Sequence, residues 1–385
     1  MNPGFFEALD RARGLEASAT NISRIAEATS PNAARWAFTQ WDLRHRAAAK
    51  FALAGEMLFD RDGFEMASDE RLATYHASHF PTGAKVIEVG CGIGSDTIAL
   101  ARRGPVIAYE SDPERAAIAR HNLQVHGLEA EVRTAVWTPD VAGEFVFADP
   151  SRRAGGRRTL EPSDFSPNPI ELVRAYSGAD LLGIKLSPML PDTFFDIFEA
   201  RCEYASLGRE CRESILWFGE ERGTFAVHIE SGELLPSCEP AGVVEDPLAW
   251  VFEADPASIR AHALGSFEVP SLGDSNGYLT GDQPLTSPWL RGYRTLECGR
   301  FDVKEVRTAL AKHDARTPEI KQRGTGVDPA VLRKQLRSQG KRPTVVLLYP
   351  LGKSIRYVVA VAAPRAAGGK AASVLLRRGL ADAPS

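Results

Sequence analysis

The stretch Val86-Ile-Glu-Val-Gly-Cys-Gly-Ile-Gly-Ser-Asp-Thr-Ile-Ala-Leu100 constrains this chain more than any other. It reads as a buried strand, a tight glycine loop and the opening of a helix, the unit with which an α/β sheet holds a nucleoside at its strand ends. Gly90, Gly92 and Gly94 let the backbone turn and approach a ligand where a Cβ would clash. A second apolar run, Val106 to Tyr109, ends on Glu110, an acid placed to accept both ribose hydroxyls. The spacing Gly-Cys-Gly-Ile-Gly is not the GxGxxG of dinucleotide sites, where a pyrophosphate needs the helix N-terminus. It suits S-adenosylmethionine better. An ordinary tight turn would use the same glycines, so the reading leans on Glu88 before the loop, Glu110 beyond it and Asp149-Pro150 at a later strand end. Cofactor contacts are expected from Glu88, Gly90, Cys91, Gly92, Gly94, Asp96, Thr97, Glu110, Ser111, Trp137 and Asp149, with S-adenosylhomocysteine as product. Trp137 either packs on the adenine or belongs to the core.

A length of 385 residues allows two or three domains. Five cysteines, an odd number without CxxC pairs, imply reduced thiols and no metal site. No apolar run approaches the roughly 20 residues that span a bilayer, and the N-terminus lacks a signal-peptide core. The expectation is a cytoplasmic protein without a membrane partner.

The net charge of −4 hides an asymmetry: residues 295–363 hold 14 Lys+Arg against 6 Asp+Glu, and residues 364–385 hold 4 against 1. The first 294 residues hold 28 against 43. Such a contrast fits a polyanion partner for the C-terminal part, or a basic domain docked on an acidic one.

Residues 1–80 carry helical apolar spacing, with helices expected over 25–38 and 41–59. Arg44, Arg46 and Lys50 in the second could touch nucleic acid or form a solvated face. Over 81–230 strands alternate with helices: strands at 85–89, 105–110, 130–134, 144–148 and 181–186, then 213–218 and 223–230 as a hairpin. This order is expected to form an α/β, Rossmann-like sheet of the class I methyltransferase kind. Helices are expected at 95–103, 113–126, 169–178 and 191–200, the second opened by Asp112-Pro113. Residues 231–294, rich in Pro and Gly, read as a linker or accessory segment with short strands. Residues 295–363 form an α+β unit with helices at 301–312 and 331–339 and strands at 344–349 and 355–361. The Ala/Gly/Arg tail 364–385 is expected to be disordered.

Asp149 follows the apolar run Phe145 to Ala148, which puts its carboxylate where the sulfonium methyl should project. Together with the Pro150 carbonyl it could accept both hydrogens of an exocyclic amine and aim the nitrogen lone pair along the line of transfer. A simple cap on the following loop is the competing reading. Asp149-Pro150-Ser151-Arg152 is similar to the (Asp/Asn)-Pro-Pro-aromatic motif of methyltransferases acting on base amino groups, with Ser151 for the second proline and Arg152 for the aromatic. An arginine plane can stack on a base or bind a phosphate bidentately. Arg152, Arg153, Arg157 and Arg158 surround Gly155-Gly156 as a mobile basic loop. Lys185, at the end of the fifth strand, either meets substrate in the same cleft or snorkels to water.

Across most of its length the chain resembles the bacterial class I methyltransferases that carry a C-terminal THUMP-like domain. The segments are Leu43-Arg-His-Arg-Ala-Ala-Ala-Lys-Phe51, the glycine loop, Asp149-Pro-Ser-Arg-Arg153, Lys185-Leu-Ser-Pro188, Tyr278-Leu-Thr-Gly281 and Ile320-Lys-Gln-Arg-Gly324. The group is distantly similar to trimethylguanosine synthase, which methylates the guanine exocyclic amine of an RNA cap. The resemblance implies S-adenosylmethionine binding and contact with tRNA or another structured RNA. On this reading Asp149, Pro150 and Arg152 are catalytic, and Arg152, Arg153, Lys185, Lys321 and Arg323 contact substrate or RNA. Two alternatives stay open: a methyltransferase for a protein or small molecule, and a non-catalytic RNA-binding protein retaining the cofactor fold.

Overall fold

The computed structural model describes residues 3–151, 153, 154, 157, 158 and 160–364. Arg152, the Gly155-Gly156 pair, the side chains of the surrounding arginines and the expected disordered tail from residue 365 onward lie outside the described residues. The chain divides into two compact units, Met1–Ala200 with Ile215–Glu221, and Arg201–Ser214 with Arg222–Ser385.

The first unit begins with helices α1 (Pro3–Ala12), α2 (Ala19–Ala28), α3 (Pro31–Ala47), α4 (Arg61–Met66) and α5 (Glu70–Ser78). The helix expected over 25–38 is broken at Ser30-Pro31. Ser30 accepts from the Ala33 N–H and caps α3, while Pro31 cannot continue α2 because it has no N–H to donate. The helix expected over 41–59 stops at Ala47. The irregular chain beyond it is pinned by Arg44 Nε on Met57 O at 2.9 Å and Lys50 Nζ on Phe64 O at 3.0 Å. Arg44 is buried. Two of the three cations weighed as a nucleic-acid face are therefore internal clamps for this segment, and Arg46 lies 3.9 Å from Asp42 on the exposed face.

Alternating elements follow: β1 (Val86–Val89), α6 (Ser95–Ala101), β2 (Val106–Glu110), α7 (Pro113–Val125), β3 (Glu131–Thr134), β4 (Phe145–Ala148), α8 (Pro169–Ala175) and β5 (Leu181–Leu186). The strands are parallel in the order β5-β4-β1-β2-β3. From β1 the chain steps outward to β2 and β3, then returns to lay β4 on the other side of β1. That reversal opens a crevice between the carboxyl ends of β1 and β4. Strands β1 and β5 are buried along their whole length, as a sheet covered on both faces requires. Beyond β5, Trp217 packs on Gly183, where a Cβ would come within 2.3 Å of the indole. Only glycine allows that approach.

The expected hairpin of 213–218 with 223–230 does not form. Strand Gly223–His228 pairs in parallel with Arg201–Leu207 and antiparallel with Glu233–Pro236. The tight turn lies earlier, at Gly208-Arg209, whose φ values of 65° and 64° suit a two-residue hairpin between Arg201–Leu207 and Glu210–Phe218. The other sheet runs 243–244, 271–272, 278–281, 250–254, 290–300, 354–362, 345–351 and 319–322. Much of 231–294, expected as linker, thus supplies strands to the sheet that holds the C-terminal α+β segment. Its Pro and Gly residues punctuate short strands and do not dissolve them. Helices Val303–Lys312 and Pro329–Gln335 pack against this sheet around Val306, Leu310, Leu332, Val346 and Val359.

Candidate active site

The crevice between β1 and β4 holds a cavity of about 570 Å³. Gly90, with φ 81°, lies so close to the next strand that a Cβ would meet the Asp149 carbonyl at 2.8 Å. Gly92, with φ 55°, has nothing within 4 Å of its Cβ position and leaves the loop's open face on the cavity. Glu110 closes the loop from β2: Oε2 accepts from the Gly92 N–H at 2.9 Å and Oε1 from the Asp112 N–H at 2.8 Å. A carboxylate has roughly four acceptor sites, so two such bonds leave capacity for ribose hydroxyls.

Of the residues expected to touch cofactor, Gly90, Cys91, Gly92, Asp96, Glu110, Ser111, Trp137 and Asp149 line this cavity. Glu88, Gly94 and Thr97 do not. Gly94 turns the chain into α6 at φ 86°, its Cβ position 3.2 Å from Ala119, so it serves helix packing. Glu88 and Thr97 are buried behind the wall, and Glu88 Oε2 has no hydrogen-bond partner among the described residues. Burial, with the neighbouring Asp96 adding to it, pushes the Glu88 carboxyl up to about 8. That shift favours the protonated, neutral acid at neutral pH. Burial also pushes the Cys91 thiol well up, which makes it an inert wall residue. Trp137 donates its indole N–H to Tyr176 OH at 2.8 Å and still lines the cavity beside the exposed Val136.

Asp149 stands at the end of β4, its N–H bonded to Val89 O at 3.0 Å across the switch point. Lys185, from the end of β5, places Nζ 2.5 Å from Asp149 Oδ2 and 3.0 Å from Ser68 Oγ. Ser68 Oγ donates to Asp96 Oδ2 at 2.7 Å, and Asp96 Oδ1 lies 2.7 Å from His76 Nδ1. A buried chain of polar groups therefore runs from His76 through Asp96, Ser68 and Lys185 to Asp149. Burial alone would push the Asp96 carboxyl up, but His76, Lys185 and Ser68 outweigh it and hold the group below its usual range. Lys185 is 9% exposed and is tied into this network, so it is neither a core-edge lysine nor one reaching for bulk water. Ser151 exchanges backbone hydrogen bonds with Ser166 at 2.8 and 3.0 Å, which fixes the chain directly after Pro150. Pro150 is buried on the cavity wall.

Sequence reasoning missed Ser68 and His76. Their partner Asp96 is 28 and 20 residues away, beyond any local pattern, and only the folded helical segment brings them to it. Lys321 and Arg323 belong to the second unit. Lys321 Nζ lies 3.0 Å from Glu253 Oε2, and Arg323 Nη2 lies 3.7 Å from Glu253 Oε1 and bonds Ala254 O at 3.3 Å.

A parallel sheet reversing at β1 and β4, with a glycine loop and an acid at neighbouring strand ends, defines a class I methyltransferase. The chain is 31% identical over 349 residues to uncharacterised S-adenosylmethionine-dependent methyltransferases of two Mycobacterium tuberculosis strains, CDC 1551 and H37Rv. The alignments cover 85% of this chain and 96% of theirs. The chain belongs to this family of S-adenosylmethionine-dependent methyltransferases, and S-adenosylmethionine is its cofactor. The fold matches the crystal structure of a provisionally named methyltransferase of Porphyromonas gingivalis W83, with TM-score 0.74 at 17% identity over 94% of this chain and 98% of that one. Residues 290–364 match the THUMP domain-like family. No described helix is long and apolar enough to cross a membrane, and no group of metal-binding side chains occurs among the described residues.

Proposed function

We propose that this enzyme methylates an exocyclic amine of a base in RNA, guanine favoured. The observation that carries the reading is the Asp149 carboxylate on the cavity wall, held by Lys185 at 2.5 Å and followed directly by the Pro150 carbonyl. In this reading Glu110 accepts the ribose hydroxyls, the open backbone at Gly90–Gly92 admits the amino-acid end of the cofactor, and Trp137 with Val136 borders the adenine. The bound cofactor supplies an electrophilic methyl group on a sulfonium. Everything else falls to the chain's own residues.

Lys185 fixes one oxygen of Asp149, so the carboxylate cannot swing, and a carboxylate's acceptor sites are not exhausted by one ion pair. Asp149 and the Pro150 carbonyl then take the two hydrogens of the target amine and turn its lone pair towards the methyl group. An ion-paired carboxylate is a weak base, so its role is alignment. The nitrogen becomes cationic on transfer and is acidic enough to release its proton to water. The THUMP-like match at 290–364 and the basic balance of residues 295–363 support RNA as the carrier of the base. The test is incubation of the protein with labelled methyl donor and total RNA from a strain lacking the gene, followed by mapping of the label. Label at a guanine amino group is expected. Label in protein or in small molecules alone would reject the RNA reading.

A further inference from the structure

The second unit carries a groove that neither the cofactor site nor the expected Lys321–Arg323 contact uses. Two adjoining depressions, of about 1250 and 760 Å³, share Thr317, Ala330, Arg333 and Ser338. Five cations line them: Arg316, Arg333, Lys334, Arg337 and Arg342. None of the five has an ion pair among the described residues, and all but Arg342 are exposed. The one acid on the wall, Glu319, is already 3.5 Å from Lys321. Lys321 and Arg323, by contrast, are partnered by Glu253 and only 16% and 26% exposed.

The groove is built, and its cations do not hang from a loose loop. The segment after helix Pro329–Gln335 is stitched to residues 314–317 by backbone bonds: Arg316 N to Arg342 O at 2.9 Å, Arg342 N to Asp314 O at 2.8 Å and Gly340 N to Ala315 O at 3.1 Å. Ser338 Oγ adds a bond to Ala315 O at 2.6 Å. At Gly340 a Cβ would come within 2.3 Å of the Asp314 backbone, so the close approach requires glycine. Such pinning fixes Arg316 and Arg342 on facing segments before any ligand arrives.

We infer that this groove holds the sugar-phosphate backbone of the RNA, independently of its sequence; the inference rests on the RNA reading given above. Five unpaired cations around one trough repel one another, and a polyanion relieves that repulsion while releasing its own counterions. Guanidinium forks match phosphate oxygens bidentately. The lining residues include no aromatic or Met, so the groove has neither a platform for stacking bases nor the large apolar anchors that a protein interface uses at its centre. Contacts of this kind position a nucleic acid and do not read it.

The test uses the full chain, bulk transfer RNA as the probe and the variant R333Q/K334Q/R337Q, all three side chains being solvent-exposed. Removing three phosphate contacts should lower the log–log salt slope of RNA affinity by about 2–3 and weaken binding at moderate salt by at least about tenfold. S-adenosylmethionine affinity and the melting temperature should stay unchanged, which establishes that the variant is folded. An unchanged slope with normal wild-type binding overturns the groove alone. Competition by polyglutamate as effective as competition by RNA of equal charge also overturns it, since the groove would then accept any acidic chain. Wild-type protein that binds RNA through the groove but never methylates it leaves the inference standing and rejects the proposed substrate. Wild-type protein that binds no RNA rejects both.

Discussion

The cofactor cleft of the first unit and the groove of the second treat charge in opposite ways. In the first, ionisable groups are buried and joined: Lys185 to Asp149 and Ser68, and Asp96 to His76. In the second, Arg316, Arg333, Lys334 and Arg337 stand exposed around a pinned groove. A buried, hydrogen-bonded ion has one geometry, which is what aligning a reacting group requires. An exposed cation keeps its reach and its field, which is what holding a long polyanion of varied sequence requires. Residue type alone does not separate the two uses. Arg44, Arg46 and Lys50 look like a basic face in the sequence, yet two of the three are internal clamps.

The largest effect that could break this comparison is at Asp149. Asp149→Ala should cut turnover about a hundredfold or more, since misplacement of a reacting group by an ångström has that consequence. Cofactor affinity should stay close to wild type, because Glu110 and the glycine loop are untouched. Single-turnover methylation beside calorimetry separates the two. An active Asp149→Ala enzyme would mean that the buried network is architectural, and Lys185 would be the next residue to vary.

The neutral acid at Glu88 sharpens the same contrast. Its carboxyl lies at about 8 in the folded protein against an ordinary value of 4.5. A raised folded value means that the folded state retains a proton the unfolded chain has lost, so the stability present below about 4.5 declines as pH rises towards 8. Each unit of that shift corresponds to about 1.4 kcal/mol at most. Glu88→Gln removes the term. Urea unfolding at stepped pH should show the variant gaining on wild type from pH 4.5 to 8 and no further above it. Parallel curves would mean that Glu88 is ionised in its pocket.

The glycine loop, the order of alternating elements, Glu110 and Asp149 were all legible, because each sits where a hydrophobic run ends and the chain must turn. The Asp149–Lys185–Ser68–Asp96–His76 chain was not, since it joins helical and sheet segments far apart in sequence. The misassigned hairpin has a similar cause: strands 213–218 and 223–230 are separated by a turn-like segment, but the pairing partner is decided by the tertiary register of Arg201–Leu207. The cations of the groove were visible as an excess of charge. What singles them out, that Lys321 and Arg323 are already held while they are not, depends on Glu253, 68 residues from Lys321.

A smaller effect is expected at the ribose acid. Glu110→Ala removes charge-assisted hydrogen bonds of about 1.5–3 kcal/mol, which corresponds to a loss of cofactor affinity of roughly tenfold or more. It also releases the Gly92 and Asp112 N–H groups that Glu110 holds, so Glu110→Gln, which keeps an acceptor on the loop, should retain more affinity than Ala. Equal losses in both variants would point to loop collapse and away from ribose recognition.

The smallest effect is the most discriminating one for the second unit. Burial pushes the Glu253 carboxyl up, but Lys321, with Tyr293 and Arg323, outweighs it and holds the group below its usual value of 4.5. A lowered folded value contributes stability that is present above 4.5 and lost as the pH falls through the folded value. Lys321→Gln with Arg323→Gln leaves Glu253 half-buried without its cations, so the variant should melt earlier than wild type at neutral pH and approach it in acid. The salt slope of its RNA affinity should stay close to wild type, because cations held by Glu253 and Glu319 make no phosphate contacts and release no counterions on binding. Filter binding across a salt series measures the second quantity and calorimetry the first. If the salt slope instead fell as far as in R333Q/K334Q/R337Q, the Glu253 pairing would have to open on binding, and the division between partnered and unpartnered cations would no longer mark where the RNA lies.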